Sequence, residues 1–452
     1  MPVRKLLFSF LLLSLSAAAL DRQANADYRA RRQSLAAKTN GSVVVLFAGT
    51  EAERPNALYS FRQDDNFFYL TGWSEPGAAL VIAPAGLVSP VAPPRPYIEI
   101  LFLPARNSTQ ERWTGPKLGP ENDDAPRITG FDRVEPLDKL RDELERLLPK
   151  PRATVLSDLP AYGESSPAPG ALDWLRRANA FPNYISFQDV KPLLAALRVK
   201  KDAGELERIR KATDASIAAH LAAMHAMKPG MSEREISALM QYEFLRRGCE
   251  RPAYAPIVGA GFNSTVLHYS LDSGPIETGD VVVMDVGGEY SMYATDITRT
   301  LPANGKFTAR QREIYDIVLG AQQAAIAAFQ AGKSTLGRSS PDSLYKVAYD
   351  YIDTHGKDRA GRPLGRYFIH GLGHYVGLGV HDVGDTGAPL GPGAVFTIEP
   401  GIYIPEERLG VRIEDIFYVD AEGKLINLTE KLPHTAEEVE KEMAGHWAEP
   451  RG

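Results

Sequence analysis

Asp285, Asp296, His374, Glu399 and Glu414 together offer four carboxylates and one imidazole, a hard, oxygen-rich donor set suited to divalent cations. Each stands in or beside an apolar, strand-like run, where an uncompensated acid is expensive. Holding that much negative charge in one apolar neighbourhood makes sense if two metal ions sit among the acids. The chemistry that follows from such a centre is hydrolysis by a metal-activated water.

The local patterns say how these groups would be brought together. Asp280 to Arg299 (DVVVMDVGGEYSMYATDITR) reads as a hairpin with Gly287-Gly288 near its turn, which brings Asp285 and Asp296 together on its two arms. Taken singly, Asp285 also reads as a turn-forming acid and Asp296 as a capping group. Glu399 in VFTIEPGIY (Val395 to Tyr403) and Glu414 in VRIEDIF (Val411 to Phe417) are acids flanked by β-branched and apolar residues. Solvent-facing acids on edge strands are the plain alternative. In a regular strand Asp415 points away from Glu414, so one of that pair faces inward and the other outward. His370, His374 and His381, three of the nine histidines, fall in IHGLGHYVGLGVHDVG. Its glycines (Gly371, Gly373, Gly377, Gly379) suit a loop that places imidazoles closely. Set against four acids in apolar contexts, the cluster points to ligand and acid–base roles.

Positioning such a site takes more than one core, and 452 residues are enough for two domains. The fold class expected is α/β (α+β). From about Asp27 to Val190 the pattern is mixed, with buried-strand runs at Ser42–Ala48, Ala78–Ala83 and Tyr97–Leu103. Helical spacing occurs at Leu137–Leu148 and Ala171–Ala178, and Ser89–Pro96 and Ser165–Gly170 read as loops. From 195 to 445 the order helix, helix, strands occurs twice. Helices Glu205–Met227 and one opened by a Ser232/Glu235 capping box precede strand runs at Ala255–Val258 and Val281–Val286. Helices Arg310–Gln330 and Asp342–Tyr351 precede runs at Ala394–Ile398 and Val411–Val419. The ligands fall in both halves, so the site is expected at the seam of a pseudo-two-fold duplication.

A net charge of −6 gives no basic footprint and argues against nucleic acid as a partner. Arg4 and Lys5 followed by the apolar stretch Leu6 to Leu15 read as a signal peptide over residues 1–26. Ala17-Ala18-Ala19 and Ala24-Asn25-Ala26 are the two candidate cleavage signals. The apolar stretch is short for a membrane span, so no stable membrane association is expected after cleavage. An exported protein, periplasmic or secreted, is expected. Cys249 is the only cysteine, which rules out an internal disulfide and a lipoprotein anchor at the cleavage point.

In order and local context, Asp285, Asp296, His374, Glu399 and Glu414 resemble the ligands of the pita-bread metallopeptidases. HGLGHYVGLGVHDVG, and TIEPGIY followed by VRIED, resemble the proline-specific branch, the Xaa-Pro aminopeptidases and prolidases. FRQDDNFFYLTGW (Phe61 to Trp73) and ERWTG (Glu111 to Gly115) resemble that branch's amino-terminal domain, so the likeness spans nearly the whole mature chain.

The resemblance implies a smaller N-terminal domain (27–190) and a pita-bread catalytic domain (195–445). It implies a metallo-aminopeptidase that releases the residue before a proline with a hydroxide bridging two ions, most simply Mn²⁺, with Zn²⁺ or Co²⁺ compatible. Asp285 would bind one ion, His374 and Glu399 the other, and Asp296 and Glu414 both. Glu399 would also carry the proton between water and leaving amine. His268 would steady the tetrahedral oxyanion, and His370 and His381 would line the pocket for the following residue and bond the substrate carbonyl. Arg412 would anchor a metal-binding carboxylate, with a surface charge as the alternative, and Tyr403 stands beside it. Substrates are peptides with proline second, and a dimer or tetramer is implied. Prolidase, which favours dipeptides, is the nearest alternative, and a non-catalytic peptide-binding protein of the same fold is another. A methionine aminopeptidase is disfavoured by the extra N-terminal domain.

Overall fold

The structure is a computed structural model that describes residues 20–51, 59–87, 95–148, 153–159 and 185–444. The apolar leader and its Ala17-Ala18-Ala19 signal, most of the Ser89–Pro96 loop, the Ser165–Gly170 loop and the expected helix at Ala171–Ala178 lie outside the described residues. Among the described residues no helix is long and apolar enough to cross a membrane.

Among the described residues, runs of β-branched and aromatic residues form six strands in the first part of the chain. They are β1 (Val43–Phe47), β2 (Ala79–Pro84), β3 (Tyr97–Leu103), β4 (Arg133–Pro136), β5 (Thr154–Ser157) and β6 (Ser186–Asp189). They make one sheet in the order β4-β3-β2-β1-β5-β6, antiparallel where β2 meets β1 and β3 and parallel elsewhere. Side-chain alternation divides the sheet between two cores. Val43, Val45, Val81, Ile100 and Phe102 pack on Leu140, Leu144 and Leu147. Val44, Leu46, Leu80, Ile82, Leu101 and Leu103 pack on Phe67, Phe68 and Leu70. That second core continues into the rest of the molecule through Met292, Tyr293, Val376, Leu378, Val395 and Ile416.

The remainder opens with helix Ala203–Ala226 and helix Glu233–Leu245, started by capping boxes at Asp202 and Ser232. Six strands follow: β7 (Arg251–Pro252), β8 (Ile257–Ala260), β9 (Val281–Asp285), β10 (Gly288–Tyr290), β11 (Tyr293–Ala294) and β12 (Thr298–Pro302). Helices Ala309–Ala328 and Leu344–His355 then precede β13 (Val395–Ile398), β14 (Gly401–Ile404), β15 (Leu409–Arg412), β16 (Asp415–Val419) and β17 (Leu425–Asn427). The expected repeat of two helices and antiparallel strands is therefore present. Its halves meet where β12 runs beside residues 412–414: Glu414 N donates to Thr298 O (3.1 Å) and Thr300 Oγ1 to Arg412 O (2.9 Å).

Three local expectations need correction. The expected strand at Ala255–Val258 starts at Ile257 and runs to Ala260. The 280–299 hairpin does not turn at Gly287-Gly288. β9 and β12 pair with Asp285 opposite Thr298, and the chain between them projects as the β10–β11 hairpin, reversing at Ser291 and Met292 with φ of 49° and 75°. The strand expected over Val411–Val419 is two strands, broken at Ile413–Glu414, where the chain passes from β14's partner to β13's. The break also settles Asp415. It faces away from Glu414 but is as buried, with 2% of its surface exposed.

Arg299 explains that burial. Its guanidinium reaches Asp415 Oδ1 (2.6 Å), the carbonyl of Glu414 (2.8 Å) and that of Pro433 (2.8 Å). Gln322 bonds Asp415 Oδ2 and the carbonyl of Ile398, both at 2.9 Å. Beneath the seam, one arginine thus ties β12 of the first half to β16 of the second. Arg299→Met leaves Asp415 buried without its cation and should cost about 3–5 kcal/mol, read as a lower midpoint in denaturant. A variant within about 0.5 kcal/mol of the parent would show that the pair does not hold the halves together.

Candidate metal centre

The seam gathers the five expected ligands around one cleft. Asp285 ends β9, Asp296 precedes β12, Glu399 follows β13 and Glu414 lies in the break between β15 and β16. His374 reaches them from the glycine-rich loop, its Nε2 lying 3.3 Å from Asp296 Oδ2, 3.4 Å from Glu399 Oε1 and 4.0 Å from Glu414 Oε1. Asp285, Asp296 and Glu414 form one group whose ligand atoms lie within 4.8 Å of one another, His374, Glu399 and Glu414 form another, and Asp296, His374 and His381 form a third. The first two overlap as a pair of ions would need, with Glu414 common to both.

Two glycines make this convergence possible. A Cβ on Gly287 would stand 2.0 Å from the carbonyl oxygen of Thr295, and one on Gly373 would stand 2.0 Å from that of Thr397. Each glycine lets the backbone beside one ligand pass against the backbone beside another.

Burial sets the electrostatics. The Asp296 carboxyl is pushed up to about 7 by burial and by Asp285 beside it. Glu414 is driven well above the carboxylate range by burial and by Asp296, Glu399 and Asp285. Glu399 is raised by burial against the opposing pull of His374. Burial draws the His374 imidazole down, but Asp296 and Glu399 outweigh it and lift the ring to about 9. The imidazolium is then the positive charge that this acid cluster requires.

Glu414 Oε1 is buried and has no hydrogen-bond partner among the described residues. An orphaned carboxylate oxygen among three further acids fits a cation and has little other explanation. The donor set and its convergence therefore fit a divalent metal centre.

Arg412, for which a surface charge was the alternative, is 3% exposed, with Nη2 at 2.6 Å from Asp285 Oδ2. Its Nη1 donates to the Tyr403 hydroxyl (2.8 Å), which lies 2.9 Å from His370 Nε2. His370 Nδ1 lies 2.8 Å from the carbonyl of Gly371, so both ring nitrogens are occupied. Burial and Arg412 also hold this ring's pKa down at about 3, which keeps it neutral. His370 therefore lines the cleft as a fixed wall, and the expected bond from it to a substrate carbonyl has no free donor. His268 and His381 are exposed at the mouth, and no hydrogen bond within the described residues occupies either ring. The His381 ring centroid lies 4.2 Å from that of His374.

Sequence reasoning missed Tyr254. Its hydroxyl sits 2.6 Å from Asp285 Oδ1 and also bonds Asp296 Oδ1. The phenol thus ties the two aspartates to one another through a single hydroxyl. The surrounding RPAYAP gives no signal beyond an aromatic in a proline-flanked loop.

The chain matches the family model described as metallopeptidase family M24 over residues 207–421 and that of the aminopeptidase P N-terminal domain over 28–156. It is 35% identical over 445 residues to a Xaa-Pro aminopeptidase of Escherichia coli, covering 92% of this chain and 97% of that protein. It is 34% identical to a mouse Xaa-Pro aminopeptidase 3, covering 89% and 81%. A solved structure described as zinc-substituted E. coli aminopeptidase P in complex with product superposes with a TM-score of 0.80 at 32% identity, covering 95% and 100%.

Protons held by the cluster must leave when cations enter. Mn²⁺ binding should release protons and tighten as the pH rises toward 7, roughly tenfold per unit for each proton lost. Titration calorimetry in buffers of different ionisation enthalpy measures that release. A pH-independent affinity without proton release would mean the cluster is ionised before the metal arrives.

Proposed function

The chain belongs to the Xaa-Pro aminopeptidases of metallopeptidase family M24, and we propose that its five-ligand cluster holds two divalent cations, manganese ahead of zinc or cobalt. Its activity is hydrolysis of the bond between an N-terminal residue and a following proline, with release of that residue. The observation that carries the two-ion reading is the pair of overlapping ligand groups that meet at Glu414, one of whose oxygens has no hydrogen-bond partner among the described residues.

In this reading Asp285, Asp296, His374, Glu399 and Glu414 would hold the ions. Cations held there would polarise a water and the scissile carbonyl. The chain's own groups do the rest. Arg412 and Tyr254 fix the two oxygens of Asp285, which sets its direction. Thr397 Oγ1 donates to Glu399 Oε1 (3.2 Å), leaving Glu399 to take the proton of the attacking water and pass it to the leaving nitrogen. That transfer completes the cleavage, because the leaving nitrogen departs as an amine and not as its anion. His268 and His381 supply donors at the mouth for the oxygen that becomes negative. A recess of about 250 Å³ lined by Ala255, Ile257 and Val380 offers apolar surface beside the acids for a ring or side chain.

An exported protein remains our reading of the N-terminal leader, with cleavage at Ala17-Ala18-Ala19 in place of the 1–26 leader, because Asp21 and Gln23 pair with Arg208, Lys211 and Asp202 and a helix begins at Asn25; the domains divide at 27–190 and 195–445. A dimer or tetramer remains our reading of the assembly.

Metal-reconstituted protein should cleave Xaa-Pro-Xaa peptides well and Xaa-Pro dipeptides poorly, with Asp296→Ala reduced by ~100-fold or more. Faster dipeptide cleavage would make it a prolidase, and equal activity of parent and variant would overturn the centre. Expression in a Gram-negative host should place a shortened protein in the periplasmic fraction. Full-length protein retained in the cytoplasm would overturn export.

A further inference from the structure

His381 stands at the mouth on a loop with four glycines nearby, yet an oxyanion donor must be held still. The restraint comes from the neighbouring residue. The Asp382 side chain, 1% exposed, receives two cations: Arg198 Nη2 at 2.5 Å and Lys201 Nζ at 2.9 Å. Its amide donates to the carbonyl of Tyr375 (2.8 Å), closing the loop behind His374. The packing is tight, since a Cβ on Gly377 would stand 2.2 Å from Asp382 Oδ2 and 2.8 Å from Lys201 Cε.

The cations are themselves anchored outside the loop. Arg198 closes the helix Lys191–Arg198, and its Nη1 donates to Asn66 Oδ1 (2.7 Å) in the N-terminal domain. Lys201 N donates to the carbonyl of Gly393 (2.9 Å), just before β13. A second tether comes from Arg62, whose Nη2 donates to the carbonyl of Leu378 (2.7 Å) while Nε holds Glu289 (2.6 Å) and Nη1 holds Asp65 (2.8 Å). Both ends of the loop segment 378–382 are thus pinned by arginines bonded to residues 65 and 66.

We propose that Asp382, gripped by Arg198 and Lys201, is a positioning residue for His381, and that through it the N-terminal domain sets the aim of the catalytic loop. This rests on the role given to His381 above. A carboxylate between two buried cations is chosen for direction, because replacing it leaves both cations uncompensated. Arg198 is the better probe, since Lys201 still neutralises Asp382 when it is removed.

The test is a double-mutant cycle between Arg198→Met and His381→Ala, with kcat, KM and metal content measured on the full-length metal-loaded protein. Arg198→Met should lower kcat roughly 10- to 100-fold with KM and metal content little changed. In the His381→Ala background it should cost almost nothing further, and Arg198→Lys should restore most of the activity. Equal losses in both backgrounds would mean that Arg198 acts on general stability, and loss of metal would mean that it acts through His374. Either result overturns the proposal. A fully active His381→Ala would instead remove the role of His381 in the reaction.

Discussion

Four carboxylates cannot stay ionised side by side in a buried site unless positive charge is placed among them. In this chain the balance is local. His374 stands as an imidazolium among Asp296, Glu399 and Glu414, while Arg412 faces Asp285. Where those charges fall short, the acids keep protons, as the raised Asp296 and Glu414 show. Divalent metal bound there would replace both devices at once, supplying more charge than the imidazolium and displacing the protons. The seam is built around that exchange, and beneath it Arg299 fixes the backbone of Glu414 from the other side.

Much of this was legible in the sequence because burial of acids is a rare event that leaves a local mark. Glu399 and Glu414 stood out inside apolar strand runs, and all five expected ligands reach one cleft. The helices were legible for a different reason, as Ser232 with Glu235 and the apolar periodicity are short-range signals. What failed was longer in range. The turn at Ser291-Met292 uses residues with no preference for positive φ, and Gly287, which looked like the turn, is needed for close approach instead. One of Glu414 and Asp415 was expected to face outward, and both are buried because Asp415 has a partner, Arg299, 116 positions away. Tyr254 was invisible for the same reason, since its partners Asp285 and Asp296 are distant in sequence. The His370 bonds depend on three side chains meeting, which no motif encodes.

The two domains share more than a boundary. An apolar core runs from Phe67 and Leu70 through Val376 and Leu378 to Ile416, so the loop that carries His374 and His381 is packed partly on the N-terminal sheet's helix. The segment Asp21–Gln23 adds polar contacts across the same interface, with Asp21 paired to Arg208 and Lys211 and Gln23 to Asp202. The smaller domain is therefore part of the wall behind the cleft.

Gly287 and Gly373 have no functional group and touch no ligand atom, yet each holds a place that a single methyl would take from a carbonyl oxygen. Because the crowding is against main chain, no rotamer change or compensating side-chain trim nearby relieves it. Every missense change at either codon adds at least that methyl. For this lineage, then, the centre has two silent points of failure at which genetic drift has no neutral path, and loss of activity there would leave the entire ligand set intact to the eye.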